Sequence, residues 1–308
     1  MPCPSPPSPS TLDAGMNIDF SDLYKKEPGA LCLFSPDGAH IATAVQLRLV
    51  VRDAQTLQVE ALYDCADSIQ QIAWSADSLY LLSASFKKAC VEIWSVHDHE
   101  WSAKVEEGIA GLVGVRWAPD ARTVLCFSEF QVTRSGVGAN NFMGCDFGVW
   151  IKRIHDNISH QYVHTFPSNF ILTQQLRVTI WNLGTKETSY IQYPKFPDKG
   201  LDFRSDNRYA VLAERRDSKD FIGVYDCHDW SVVKHFASDT VDLDGLAWSP
   251  DGKYIAVWEN VLDYKILIYT NDGRCLTSYS AYHDNLGVKS VAWSPSGQFL
   301  AVGSYDQK

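Results

Sequence analysis

Two pairs of histidines have the spacing that comes closest to a metal site in this sequence. His97 and His99 are separated by one residue, and His160 and His164 by three. A protein-bound zinc ion needs three or four ligands, and neither pair has further ligands at matched spacing. GxSxG, Walker and HExxH motifs do not occur either. The sequence therefore predicts no catalytic, metal or cofactor site, and a protein that is not an enzyme.

Basic residues in two polar segments could instead bind an acidic protein partner. Lys87 and Lys88 lie in one segment, and Arg215, Arg216 and Lys219 lie in the other. On one interpretation these segments are ordinary solvated loops. On the other they form a basic patch that suits an acidic coiled coil or peptide, because arginine is a frequent interface anchor and charge complementarity speeds encounter. The second interpretation predicts that reversing Arg215 and Arg216 to Glu weakens partner capture without unfolding the protein.

Cysteine usage, charge and hydropathy limit the class of protein. The eight cysteines form no CxxC pair and most lie in or beside apolar runs, which favours buried free thiols in a reducing compartment. The net charge of −10 argues against a nucleic-acid binder, which normally has a basic surface. No apolar run approaches the ~20 residues of a membrane span. We therefore expect a cytoplasmic globular protein that binds neither nucleic acid nor membrane.

Repeated hairpins are the elements that must position these segments. The best formed copy is LDGLAWSPDGKYIAVW at residues 243–258, where Ser-Pro-Asp-Gly makes a tight turn between two runs of β-forming residues. The hairpin occurs six times, and the aromatic residues that end its first strand are Phe34, Trp74, Trp117, Phe203, Trp248 and Trp293. A ligand cage is one interpretation of these aromatics. Their place in every repeat favours the other, in which they are structural wedges in the core.

The spacing of these aromatics indicates the fold. Successive aromatics are 40 to 45 residues apart except for one step of 86, and a period of about 40–45 residues is typical of a four-stranded propeller blade. A second pair of short strands follows five of the hairpins, as in residues 176–191 and 221–236. The sequence therefore predicts an all-β, WD40-type β-propeller with five full four-stranded blades and half of a sixth. Such a ring is incomplete, so we expect the chain to be truncated at its C-terminus.

Two segments depart from the repeat. Residues 1–15 are rich in Pro and Ser and are expected to be a disordered tail before a partial propeller that spans 16–308. Residues 132–175 account for the 86-residue step and are expected to be a non-propeller insertion within the third blade. This insertion is either a real long loop, which is uncommon in compact domains, or a translated intron. In both cases we expect it to be poorly ordered and to lie outside the blade.

The WD-repeat signature is degenerate in this chain. No strict Trp-Asp pair ends the third strand of a repeat, and no Gly-His pair precedes the first strand unless Tyr282-His283 substitutes for it. We therefore expect the internal hydrogen-bond network of His and Asp in each blade to be partial.

Several longer stretches resemble one family. They are LVVRDAQTLQ (49–58), IQQIAWSADSLYLL (69–82), TKETSYIQYPK (185–195), YAVLAERRDSKD (209–220), DYKILIY (263–269) and SAYHDNLGVKSVAWSPSGQFLAVGSYD (280–306). In these stretches the chain is similar to the WD repeat-containing protein eight family, the centrosomal WD-repeat protein encoded antisense to the p-seventy-three gene. The resemblance covers residues 16–131 and 176–308, and family members continue with further repeats.

The resemblance implies a function that the residues alone do not. It implies a non-enzymatic scaffold of the centrosome, centriolar satellites and spindle poles that supports microtubule anchoring, spindle assembly and ciliogenesis. The implied partners are a coiled-coil centrosomal protein, the synovial sarcoma X breakpoint two interacting protein, and a minus-end-directed kinesin, with which fungal relatives act. The alternative is a WD-repeat adaptor or substrate receptor of another multiprotein complex, such as a ubiquitin ligase or a vesicle coat.

Overall fold

The computed structural model describes residues 31–108, 111–135, 170–280 and 286–305. These residues form 22 β-strands in six antiparallel sheets, five with four strands and one with two. None of them belongs to a helix long and apolar enough to cross a membrane. The all-β prediction of five full blades and half of a sixth is confirmed for the described residues.

Each sheet is a meander whose strands are neighbours in sequence, here called a to d in chain order. Sheet 1 consists of β1 (Leu31–Phe34), β2 (His40–Val45), β3 (Arg48–Asp53) and β4 (Val59–Asp64). Sheet 2 consists of β5 (Gln71–Trp74), β6 (Tyr80–Ser85), β7 (Cys90–Ser95) and β8 (Ser102–Glu106). Sheet 3 consists of β9 (Gly114–Trp117), β10 (Thr123–Ser135), β11 (Phe170–Asn182) and β12 (Thr188–Gln192).

The remaining three sheets follow in the same order along the chain. Sheet 4 consists of β13 (Leu201–Phe203), β14 (Tyr209–Arg216), β15 (Lys219–Asp226) and β16 (Val232–Ala237). Sheet 5 consists of β17 (Leu243–Trp248), β18 (Tyr254–Glu259), β19 (Ile266–Thr270) and β20 (Cys275–Tyr279). Sheet 6 has two described strands, β21 (Val288–Trp293) and β22 (Leu300–Ser304).

The tight turns between strands a and b are closed by their own side chains. In sheet 5, Ser249 Oγ donates to Asp251 Oδ1 at 2.6 Å and accepts from the Tyr254 amide at 3.0 Å. Gly252 in this turn has a φ of 69°, a conformation that costs glycine little. The Ser-x-Asp contact recurs in sheets 1 and 2, so the turn residues fix the same hairpin in successive repeats.

Neighbouring sheets are joined through their first strands. Three strand-a tryptophans donate their indole N–H to a strand-a carbonyl of the preceding sheet, in the pairs Trp74–Leu33 (3.3 Å), Trp117–Ala73 (3.1 Å) and Trp293–Ala247 (3.4 Å). Sheets 3 and 4 are joined by Arg116, which donates to the Leu201 carbonyl at 3.0 Å. Sheets 4 and 5 are joined by the backbone N–H of Trp248, which donates to Asp202 Oδ2 at 2.7 Å. The six sheets are therefore linked in chain order.

The strand-a aromatics do not all have the same environment. Trp74 and Trp248 are buried, at 9% and 6% exposure, and Trp117, Phe203 and Trp293 are partly buried. Phe34 is 64% exposed, so its prediction as a core wedge is wrong. The reason is that β1 is the first described strand, and no described sheet precedes it to cover the Phe34 ring.

Strands b and c of sheet 3 extend beyond the rest of their sheet. β10 and β11 pair from Thr123–Asn182 out to Ser135–Phe170, whereas β9 and β12 accompany only their inner parts. Residues 132–135 and 170–175 of the expected insertion are therefore strand residues of this hairpin. Residues 136–169 and the expected tail 1–15 lie outside the described residues.

Candidate protein-interaction face

One end of the sheets carries two kinds of loop, those joining strand b to strand c and those joining each sheet to the next. We call this end the upper face. The loops support one another through backbone hydrogen bonds, such as Ile69 N–H to the Gln46 carbonyl (2.8 Å) and Asn260 N–H to the Asp242 carbonyl (3.1 Å). The basic residues singled out in the sequence all lie on these loops or beside them.

Lys87 and Lys88 lie in the turn between β6 and β7, and both are exposed. Gln70, in the preceding inter-sheet loop, accepts the backbone N–H of Lys87 through Oε1 at 3.3 Å. Lys88 Nζ donates to the Ala66 carbonyl of the same loop at 2.9 Å. The side chain of Lys88 is therefore hydrogen-bonded to the loop that leads into sheet 2. The ammonium group of Lys87 is less constrained.

Arg215, Arg216 and Lys219 surround the two-residue turn between β14 and β15. Asp217 and Ser218 form this turn with φ values of 47° and 64°, the left-handed pair that a type I′ hairpin requires. Lys219 is exposed on the far side of the turn. These three basic residues thus belong to sheet 4, whereas Lys87 and Lys88 belong to sheet 2. Sheet 3 separates the two groups in chain order.

The two arginines are engaged with acids beneath them. Arg215 Nη1 lies 2.6 Å from Asp242 Oδ1 and 3.5 Å from the buried Asp220. Arg216 Nη2 lies 3.1 Å from Glu214 Oε2, whose side chain is fully buried. Glu at either position would face an acid that the arginine now neutralises, so we now expect reversal of Arg215 and Arg216 to lower the stability of the fold as well as to weaken partner capture.

Lys195 is the centre of a buried ionic network below the turn. It lies in the loop between sheets 3 and 4, and its side chain is only 6% exposed. Its Nζ donates to Asp220 Oδ2 at 2.9 Å, to Asp242 Oδ1 at 2.7 Å and to the Leu243 carbonyl at 2.5 Å. All three donors of the ammonium group have acceptors, which is what a buried lysine requires.

The acids of this network also accept hydrogen bonds from one backbone and one side-chain amide of the next sheet. Asp220 Oδ2 accepts the N–H of Leu243 at 2.6 Å, at the start of β17. Asp242 further accepts from Asn260 Nδ2 at 2.6 Å. The hydrogen bond from Lys195, helped by those from Asn260 and Arg215, lowers the pKa of Asp242 to about 2. The network therefore fastens sheet 4 to sheet 5 on the upper face.

Glu214 forms a second buried cluster within sheet 4. Its Oε1 accepts from Tyr225 Oη at 2.5 Å, and its Oε2 lies 3.2 Å from His235 Nε2 as well as beside Arg216. Burial, together with the negative charge of Glu214, raises the pKa of the Tyr225 phenol. The phenol therefore remains a donor throughout the physiological pH range.

The hydrogen-bond networks inside the sheets use unexpected residues. In sheet 3, Glu107 accepts from Ser128 Oγ (2.8 Å), Thr179 Oγ1 (3.0 Å) and Trp181 Nε1 (3.0 Å). A glutamate, rather than the histidine or aspartate of the WD-repeat signature, therefore lies at the centre of this hydrogen-bond network. The sequence patterns do not mark Glu107, Lys195 or Glu214, and the local signal is only that each of these charges lies within a few residues of an apolar strand.

The described residues among those considered for metal chemistry lie on the surface. His97 and His99 are both exposed in the turn between β7 and β8, while His160 and His164 lie outside the described residues. No group of three or more metal-binding side chains occurs within the described ranges. Burial raises the pKa of the Cys65 thiol to about 11 and that of Cys227 to about 12, so both stay protonated at neutral pH.

Comparison with known proteins identifies the repeat. Residues 273–308 match the family model of the WD domain, G-beta repeat. The chain is 44% identical over 291 residues to the WD repeat-containing protein WRAP73 of Mus musculus, an alignment covering 94% of this chain and 53% of that protein. It is 29% identical over 177 residues to an uncharacterized WD repeat-containing protein of Schizosaccharomyces pombe, covering 56% of this chain and 36% of the relative.

Solved structures show the same architecture. The Dos1 propeller superimposes with a TM-score of 0.54 and 13% identity, covering 89% of this chain and 64% of that one. Hydrazine synthase of Kuenenia stuttgartiensis superimposes with a TM-score of 0.50 and 16% identity, covering 94% and 77%. At such identities the likeness concerns the fold alone. The four-stranded sheets, the WD-domain match at residues 273–308 and the related sequences make this chain similar to WD-repeat proteins. The chain spans about half the length of its mouse relative.

Proposed function

We propose that the protein is a non-enzymatic interaction scaffold that acts at the centrosome, centriolar satellites and spindle poles. The observation that carries the proposal is the 44% identity to WRAP73 across 94% of the chain, together with the stretches that resemble the centrosomal family. In this role the protein supports microtubule anchoring, spindle assembly and ciliogenesis. Its location is the cytoplasm, on the cytoskeleton at centrosomes and spindle poles.

The geometry of the upper face supports a binding role. The described loops that join sheets 4 and 5 are braced by the Lys195 network, so their exposed side chains are held by a hydrogen-bonded frame, which lowers the entropy lost on binding. We propose a coiled-coil centrosomal protein as the main partner and a minus-end-directed kinesin as a second one. Lys87 and Lys219 are the exposed basic residues best placed to steer an acidic partner.

Proximity labelling in dividing cells tests the proposed function. A biotin ligase fused to the full chain is expected to enrich centriolar and spindle-pole proteins, including the coiled-coil partner, over the same ligase fused to an unrelated WD-repeat propeller. Enrichment of ubiquitin-ligase or vesicle-coat subunits instead would favour the alternative of an adaptor or substrate receptor. Labelling equal to that of the unrelated propeller would refute the scaffold role.

A further inference from the structure

The turn between β14 and β15 places an exposed serine directly after two arginines and an aspartate. Residues 215–218 read Arg-Arg-Asp-Ser, so the arginines lie three and two positions before Ser218. Ser218 is exposed, and so are Asp217 before it and Lys219 after it. Arginine-directed protein kinases recognise this pattern in their substrates, because acidic pockets of the kinase bind the two guanidinium groups. The turn therefore has the composition of a phosphoryl acceptor site.

The tip of this hairpin extends beyond the backbone of its neighbours. On one side the neighbouring backbone reaches as far as Arg215, whose N–H donates to the Tyr193 carbonyl at 2.9 Å. On the other side it reaches Asp220, whose carbonyl accepts from the Ser238 N–H at 2.9 Å. The residues in between, 216–219, are all exposed. A kinase can therefore reach the acceptor hydroxyl without displacing a neighbouring strand.

Only two residues of the turn must rearrange to give the extended chain that a kinase binds. Arg215 and Arg216 end β14 and Lys219 begins β15, so all three already have strand geometry. Asp217 and Ser218 have left-handed φ values of 47° and 64°, a conformation that is strained in residues other than glycine. Opening the tip relieves this strain. The two-residue turn is therefore the part of the hairpin that opens most readily.

The acids that bind the two arginines have other partners as well. Glu214 also binds the Tyr225 hydroxyl at 2.5 Å and His235 Nε2 at 3.2 Å. Asp242 also binds Lys195 Nζ at 2.7 Å. The two arginine side chains are themselves 38% and 43% exposed. The guanidinium groups can therefore move to the acidic pockets of a kinase without leaving either carboxylate unpaired.

We propose that Ser218 is a phosphorylation site for an arginine-directed serine kinase that uses ATP as its phosphoryl donor. The serine Oγ attacks the γ-phosphorus, so an Oγ–P bond forms while the bond from that phosphorus to the β,γ-bridging oxygen breaks. ADP leaves with the electron pair, and the hydroxyl proton passes to the catalytic aspartate of the kinase. The kinase supplies the chemistry, and this chain supplies the acceptor and the two arginines that are recognised.

The phosphate reverses the charge balance of the turn. It adds a charge of about −1.5 to −2 at neutral pH, beside Arg215, Arg216 and Lys219. The turn then no longer presents a net positive charge, so it ceases to attract an acidic partner. This effect on the partner rests on the proposed function, whereas the modification itself does not.

Phosphorylation of the purified, folded full chain tests the site. The probe is the catalytic subunit of cyclic AMP-dependent protein kinase, an arginine-directed kinase, with ATP, and tandem mass spectrometry locates and quantifies the phosphate. We expect Ser218 to be the main acceptor, and Ser218→Ala to lower phosphate incorporation at least tenfold. Ser205→Ala is the matched control, because Ser205 is an exposed turn serine of the same sheet without arginines two and three positions before it. It should leave incorporation within twofold.

Substitution of an arginine tests the recognition. Arg216→Gln should lower kcat/KM at least tenfold, both in the full chain and in a synthetic peptide of residues 211–223, which has no fold to lose. Lys219→Gln should leave kcat/KM of the peptide within threefold. The native chain should react more slowly than the peptide, because the Arg216 guanidinium must leave Glu214 and the Tyr193 ring, whose centre is 4.9 Å away.

Three results would overturn the inference. One is an unmodified Ser218 in the folded chain under conditions that phosphorylate the peptide. The second is an equal kcat/KM for the wild-type peptide and its Arg216→Gln variant. The third is phosphate mainly on residues other than Ser218.

The inference and the proposed function fail in different ways, because the kinase assay needs no centrosomal protein. Phosphorylation of Ser218 together with failed centrosomal labelling would refute the proposed function and leave the modification site standing. Ser218→Asp should reduce labelling of the coiled-coil partner severalfold relative to Ser218→Ala. Equal labelling by these two variants would overturn the proposed effect on the partner.

Discussion

At the level of single residues, the upper face is held together by charges whose partners lie below the surface. Lys195 and Asp220 are both almost fully buried, and each is hydrogen-bonded on several sides. Compared with apolar residues at both positions, a buried ion pair adds little to the free energy of unfolding. Removing only one partner leaves the other charge buried and uncompensated, which lowers stability. The network therefore specifies how sheets 4 and 5 meet.

Replacing Lys195 by Met should reduce the free energy of unfolding by about 3–5 kcal/mol, because the buried Asp220 would lose the cation that is hydrogen-bonded to it and keep only Arg215, at 3.5 Å. Urea denaturation followed by tryptophan fluorescence measures the change. Lys219→Met is the matched control on the same sheet and, being exposed, should change the stability by about 0.5 kcal/mol or less. Equal effects of the two substitutions would show that the network contributes nothing specific.

The lowered pKa of Asp242 predicts a dependence of stability on pH. The folded-state pKa of about 2 lies below the ordinary value of 3.8, so the ionised carboxylate stabilises the fold above pH 4, and this contribution disappears as the pH falls towards 2. Asp242→Asn should therefore be less stable than wild type at pH 6, and the difference should shrink steadily between pH 4 and pH 2. A difference that is constant over this range would contradict the assignment.

At the level of elements, each hairpin contributes one aromatic whose importance depends on its neighbour sheet. Trp248 is packed in the core between β14 of sheet 4 and β18 and β19 of sheet 5, alongside Val211 and Ile255. Phe34 occupies the same position in its repeat but has no described sheet against its outer side. The repeat position by itself therefore does not determine burial.

Trp248→Ala should reduce the free energy of unfolding by about 3–5 kcal/mol, as for other large-to-small changes in a core. Phe34→Ala should cost about 0.5 kcal/mol or less, because most of the ring is already in water. Both values come from urea denaturation of the purified variants. If Phe34→Ala proved as costly as Trp248→Ala, another segment must cover the Phe34 ring.

At the level of the whole molecule, the six described sheets are linked in chain order through their first strands. Each described link joins a sheet to the next one in sequence. In such repeat architectures stability is close to a sum of unit terms and nearest-neighbour interfaces. A substitution that destabilises one sheet should therefore mainly lower the local stability of that sheet and its neighbours.

Hydrogen exchange measured by mass spectrometry should reveal this locality. Trp248→Ala is expected to speed amide exchange in sheets 4, 5 and 6 more than in sheets 1 and 2, since subglobal opening follows the packed units. A uniform acceleration across all sheets would mean that the propeller opens as a single cooperative unit.

The sequence alone determined the grouping of the strands and the number of sheets, but not the extension of β10 and β11 into residues 132–135 and 170–175. Alternating apolar residues and Ser-x-Asp turns act over a few residues, so each hairpin, such as β17–β18, can be recognised without knowing what surrounds it. The basic turn of sheet 4 was also visible, because Arg215, Arg216 and Lys219 are close in sequence. These predictions depend only on interactions between residues that are close in sequence.

Only the tertiary structure decided what those residues do. Lys195 meets Asp220 and Asp242 across separations of 25 and 47 residues, and no local pattern reveals that the three converge. The same packing neutralises Arg215 and Arg216 and brings together the loops that carry Val241, Val261 and Gly287. Burial, ion pairing and exposed surface depend on which sheets lie side by side, and that is a property of the folded chain.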